Sequence, residues 1–168
     1  MAYTDHYILA DGVITHLNGV VAGLTDQFLV SRYIGFVSVS AVTVYELAIK
    51  EIFTSFGEKK HKVLGQFTRN YFDQINGRIR TKELKERYLV LFGEKYVKRF
   101  VAKLEAAEKL SLRNARLSIL TSYGNIITWR HQFAHEGQIP STVTYAEIVQ
   151  SYNAGKEVIK CLAESMQR

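Results

Sequence analysis

The run Val37-Ser38-Val39-Ser40-Ala41-Val42-Thr43-Val44-Tyr45-Glu46-Leu47-Ala48-Ile49-Lys50-Glu51-Ile52-Phe53 admits two readings, and the choice between them sets the fold class. Its first four residues alternate valine with serine, the two-residue period and β-branched content of a strand. From Tyr45 to Phe53 the spacing is helical, and no turn signal separates the two halves. With nothing to end a strand, the whole run is read as one buried helix.

Outward from this run the helical period persists. Residues 7–29 and 32–56 are two long apolar segments, and residues 60–76 and 81–110 supply shorter basic helices broken at Gly77 and near Gly93. Residues 111–135 read as a further helix, with Gly137 and Pro140 as stop signals. At the C-terminal end, Thr144-Tyr145-Ala146-Glu147 has the form of a capping box. Beyond it Ile148, Tyr152, Gly155, Ile159, Leu162 and Met166 recur at spacings of three or four, opposite Glu157, Lys160 and Glu164. That pattern predicts a helix of about 23 residues. The expectation is an all-α protein of roughly five to seven helices with little or no sheet.

Composition agrees with one globular core. The chain has 168 residues, 47% hydrophobic and 23% charged, the size and balance of a single domain spanning 1–168. There is no repeat, no low-complexity tract and no linker. Pro140 is the only proline, so little interrupts helices before the last quarter. Cys161 is the only cysteine, which excludes an internal disulfide framework and a cysteine-based zinc finger and suits a reducing cytosol. The apolar runs look shorter than a membrane span of about 18–20 residues. Met1 to His6 lacks the basic start and apolar core of a signal peptide. A cytoplasmic protein with no membrane partner is therefore expected. The formal net charge of +6 is uneven: residues 58–116 hold 16 basic and 7 acidic side chains, and the remainder is net negative. A basic middle suits a polyanion, whose counterions Lys and Arg replace, although a solvated helix surface has the same composition.

No phosphate loop, dinucleotide fingerprint, nucleophile elbow or HExxH helix is present. Cys161, near Lys156 and Lys160 in the last helix, reads as packing rather than as a nucleophile. The informative segment is Trp129-Arg130-His131-Gln132-Phe133-Ala134-His135-Glu136-Gly137. At about 100° per residue, Ile119, Tyr123, Ile126, Arg130 and Phe133 fall on one stripe. An arginine inside an apolar stripe needs a partner for its charge.

Three readings compete. In the first, Arg130 pairs with a buried acid such as Glu46, and the histidines sit at the helix C-terminus, where the dipole favours cations. In the second, His131 and His135, four apart, share a metal ion. No obvious third or fourth ligand accompanies them, and Glu136 points away from their face. In the third, a histidine moves the proton of a ribose 2′-hydroxyl or of the leaving 5′-oxygen, while an arginine holds the scissile phosphate. Such chemistry would cut RNA, spare DNA and need no metal.

Arg130-x4-His135, ending the penultimate helix of a small all-α chain, resembles the R-x4-6-H motif of HEPN domains. His131 stands at the motif's polar position, and Phe133-Ala134-His135-Glu136-Gly137 is similar to the AHxG ending of bacterial members. The Val39–Ile49 stretch, with Glu46, resembles their long N-terminal core helix. The resemblance implies an up-and-down helical bundle that dimerises, bringing two motifs into one cleft. It also implies a metal-independent endoribonuclease of toxin–antitoxin or antiviral defence type, with RNA as substrate and no cofactor. Arg130 would orient phosphate, His135 would act as general acid or base, and His131 would position the others or touch RNA. The basic residues Arg69, Arg78, Arg80, Lys82, Lys85 and Arg87 would steer RNA or hold an acidic antitoxin. Some members are silenced by a nucleotidyltransferase partner acting on a tyrosine two residues after the motif histidine. Here that position is Gly137, which puts such regulation in doubt. Other members have lost nuclease activity and serve as dimerisation or RNA-binding modules.

Overall fold

The computed structural model describes residues 2–167. Its helices are α1 (Tyr7–Val21), α2 (Gln27–Lys60), α3 (Lys62–Phe72), α4 (Thr81–Glu83), α5 (Glu94–Ala115), α6 (Ile119–Glu136) and α7 (Tyr145–Ser165). A 3-10 turn, Tyr3–His6, precedes α1; a π turn (Leu84–Tyr88) and a 3-10 turn (Leu89–Phe92) follow α4. Among the described residues there is no strand, and the chain is an all-α helical bundle.

The ambiguous run lies inside α2. Valine, serine and threonine are poor helix formers, so packing must hold them there. Ile34, Val37, Ala41, Val42, Val44, Tyr45, Ala48, Ile49, Ile52 and Phe53 are all buried, and α2 packs against α1, α3, α6 and α7. The hydroxyls find acceptors within the helix: Ser38 donates to Gly35 O (2.7 Å), Ser40 to Phe36 O and Thr43 to Val39 O (both 2.9 Å). By length and composition α2 could cross a membrane (mean hydropathy 1.5 over 18 residues), which corrects the expectation that no run is long enough. It packs against four other helices, as the core helix of a bundle does.

Several boundaries move. The break expected near residues 30–31 falls earlier, because Asp26 caps α2 by accepting from Phe28 N (2.8 Å). Near residue 60, His61 closes α2 with its amide and opens α3 with Nδ1, which accepts from Val63 N. The chain leaves α3 at Phe72, before Gly77, and residues 73–80 form a loop turning at Asn76 (φ 40) and Gly77 (φ 75). Gly93 (φ 111) breaks the next stretch as expected. Residues 111–115 belong to α5, not α6. Arg116 turns left-handed (φ 53), and Ser118 then caps α6 by accepting from Thr121 N (3.0 Å). Thr144 caps α7 by accepting from Glu147 N (3.1 Å). Every position of the predicted α7 stripe is buried.

Two close approaches seat α6 and α7 on α2. The Tyr45 ring stacks between Tyr123 and Tyr152, with centroids 5.4 and 5.7 Å away, and its hydroxyl donates to Tyr152 O. A side chain at Gly155 would collide with that hydroxyl, its Cβ lying 2.3 Å from the oxygen. Nearer the end of α6, the Phe133 ring occupies the space beside Gly35, where a Cβ would lie 2.1 Å from the ring. This contact fixes the last turns of α6, which carry the motif.

Candidate active site

Gly137 ends α6 with φ 66, its amide donating to Phe133 O (3.0 Å). Arg32 of α2 stacks over the Phe28 ring and donates from Nη1 to Gly137 O (2.5 Å), placing a cation at the carbonyl end of the helix. The motif side chains leave this anchored end in two directions. His131 and His135, one turn apart and both exposed, present their rings to each other with centroids 4.4 Å apart. Arg130 turns inward and is half-buried.

The guanidinium of Arg130 lies against the backbone of Gly77: a Cβ there would be 3.6 Å from Nη1. Among the described residues it has no hydrogen-bond or ion-pair partner. The pairing with Glu46 expected under the structural reading does not form. Glu46 instead binds Lys50 (3.0 Å) and accepts from Gly77 N (2.5 Å). An acid one layer further in thus holds the loop on which the arginine rests.

Arg130 and His131 open onto a cleft of about 160 Å³ between α6 and the 77–83 segment. Arg78, Arg80 and Glu83 line its other side, and Val42 and Ile127 form the apolar floor. Three arginines against one carboxylate give it a net positive lining. The loop is pinned from several helices: Tyr123 donates to Ile79 O (2.7 Å), Tyr88 to Arg78 O (2.8 Å) and Lys50 to Asp73 O (2.9 Å). Arg80 itself donates to Thr128 on α6 (3.3 Å). Burial drives the Tyr123 phenol well above its ordinary range, with smaller contributions from Tyr7 and Glu83, so it stays a neutral donor. Glu83 Oε2 is buried without a partner.

The structure therefore joins Arg130 to His131 through the cleft and His131 to His135 through ring contact, while His135 does not line the cleft itself. Among the described residues no group of three or more His, Cys, Asp or Glu is placed to hold a metal, so the histidine pair has no third protein ligand. Sequence reading placed Arg78 and Arg80 only in a general basic tract and passed over Glu83. The Asn76-Gly77 turn signal was the one local hint that the segment folds back. A larger hollow of about 570 Å³ at Tyr3, Ile52, Phe56 and Met166 contains none of the motif residues.

A family model described as RiboL-PSP-HEPN matches residues 11–168. No curated protein and no solved structure matches the chain.

Proposed function

The chain belongs to the RiboL-PSP-HEPN family, whose wider class is commonly ribonuclease, and from that premise we propose that it is a metal-independent endoribonuclease acting as a homodimer. One observation carries the reading: an unpartnered Arg130 guanidinium faces a basic cleft beside the His131–His135 ring pair.

The cleft takes the scissile phosphate, with Arg130 offering two parallel donors and Arg78 and Arg80 adding charge. A histidine removes the 2′-hydroxyl proton as O2′ forms its bond to phosphorus. The bond from phosphorus to O5′ breaks, and the departing oxygen takes a proton from a second histidine. The products are a 2′,3′-cyclic phosphate and a 5′-hydroxyl. His135 acts as general acid or base, and His131, touching both the cleft and His135, aligns it or shares the proton. Because His135 stands outside its own subunit's cleft, the reading assigns its partner cleft to a second subunit. A toxin or antiviral defence setting in the cytoplasm, with an acidic antitoxin over the basic surface, suits the charge and the reduced Cys161. Gly137 offers no hydroxyl for a nucleotidyltransferase-type regulator.

The test is cleavage of labelled RNA by purified protein in excess EDTA, beside Arg130→Ala and His135→Ala. Cyclic-phosphate ends, lost in both variants, are expected. Intact RNA at concentrations that support dimers would overturn the catalytic reading. The chain would then be an RNA-binding or dimerisation module, and RNA binding would survive loss of His135.

A further inference from the structure

Helix α3 buries Gly65, Thr68 and Phe72 against the bundle and leaves its other face bare. Val63 is 70% exposed and Phe67 54% exposed, four residues apart on that face. The Phe67 ring stacks on Tyr71, with centroids 5.9 Å apart and planes at 19°. Tyr71 in turn is reached by the Arg87 side chain, which also lies over the Tyr88 ring. The helix has no acidic residue of its own; it begins with Lys62, and Lys59 and Lys60 end the helix before it. Of the two acids that flank it in sequence, Glu58 is taken by Arg69 and Asp73 stands just past its last residue.

An exposed Phe67 ring stacked on a half-buried tyrosine, with a guanidinium at that tyrosine, is what an unpaired nucleobase and its phosphate require. We propose that the Phe67–Tyr71 face, with Arg87, is a stacking platform for single-stranded RNA. The charge argues for a polyanion as occupant over an apolar protein surface. The unpaired strand follows from the ring, since a base within a duplex would have to unpair and unstack, at a cost of about a few kcal/mol, before it met Phe67. The platform is also wired to the cleft. The Tyr71 and Tyr88 rings are in edge contact at 6.5 Å, and the Tyr88 hydroxyl holds Arg78 O in the loop lining the Arg130 cleft. A strand stacked on Phe67 passes Arg87 and Arg78 on its way to Arg130. The proposal deepens the ribonuclease reading by naming the substrate form and a second grip on it.

The experiment measures anisotropy of a labelled RNA of about 12 nucleotides with the full chain carrying His135→Ala, which prevents cleavage. Phe67→Ala is added to this background and compared with Phe67→Trp. Because Phe67 is exposed, both variants should unfold at the parent temperature. Loss of one base stack should weaken single-stranded binding roughly tenfold in Phe67→Ala, with recovery in Phe67→Trp and little change for duplex RNA. Single-stranded binding within twofold of the parent, or equal losses for both RNA forms, would overturn the platform. So would loss of self-association in Phe67→Ala with RNA affinity unchanged per subunit, which would make the face a protein contact. The two readings fail separately. If Phe67-dependent binding persists in a wild type that cuts nothing, the platform stands and the ribonuclease reading falls. If RNA is cut but Phe67 is indifferent, the reverse holds.

Discussion

Glu46 on α2 accepts the amide proton of Gly77 at 2.5 Å, although 31 residues separate them in sequence. The same carboxylate holds Lys50, whose ammonium also donates to Asp73 O at the start of the loop. Among the described residues Arg130 pairs with no acid, and it rests on the backbone that Glu46 secures. The backbone under the guanidinium is thus fixed from behind, which on the proposed reading leaves Arg130 to meet the phosphate. Glu46→Ala should cost about 1.5–3 kcal/mol, the scale of a hydrogen bond to a charged group, in chemical denaturation. It should also lower kcat while leaving the single-stranded RNA affinity of the α3 face intact. A variant with parental kcat would show that the loop needs no such support.

Arg130→Lys keeps the charge but not the planar fork that meets two phosphate oxygens. Loss of one donor to the transition state costs on the order of 10²-fold or more in kcat in comparable sites. That loss is expected here, with KM changing by only about twofold because Arg78 and Arg80 still attract the strand. A fall confined to KM would make Arg130 a binding residue.

If the working site draws on two subunits, the inactive variants Arg130→Ala and His135→Ala should rescue each other. Mixing them under conditions of subunit exchange is expected to restore cleavage that neither shows alone. No recovery, with exchange verified by mass, would mean that each cleft is complete within one chain.

Gly35 and Gly124 make a contrast within the same part of the bundle. Beside Gly35 the Phe133 ring leaves no room, whereas nothing lies within 4 Å of a Cβ at Gly124 in α6. Gly35→Ala should destabilise by about 1–3 kcal/mol through overpacking and weaken cleavage by shifting the end of α6. Gly124→Ala should stabilise by about 0.5–1 kcal/mol, since alanine loses less backbone freedom in a helix. Thermal unfolding of the pair, with Phe133→Ala added to Gly35→Ala as rescue, checks both signs.

Burial, aided by the Glu164 and Glu157 charges, pushes the Cys161 thiol up to about 11. A thiol reagent at pH 8 should leave the native protein unlabelled and modify it once unfolded. The sign follows from the raised value: stability from the neutral thiol is complete below the unfolded value near 9 and is lost as pH climbs towards 11. Rapid labelling of native protein at pH 8 would mean that α7 opens locally.

Helical class, the α7 stripe and the caps at Gly137 and Thr144 were legible because each depends on residues within a turn or two of one another. That Arg130, His131 and His135 share the end of one helix was legible for the same reason: five residues along a helix is a local distance. The starts of α2 and α6 were misplaced because capping by Asp26 and Ser118 and a left-handed turn at Arg116 outweighed hydrophobic periodicity.

What sequence alone determined is therefore the all-α class, the motif helix and a basic middle. Tertiary structure alone decided which helices cover the valine- and serine-rich helix, that Glu46 serves Gly77 instead of Arg130, and that Arg78, Arg80 and Glu83 share the motif's cleft. It also set Phe67 outward beside Arg87. These are meetings of segments tens of residues apart. They depend on which faces pack to exclude water, and no local spacing records that.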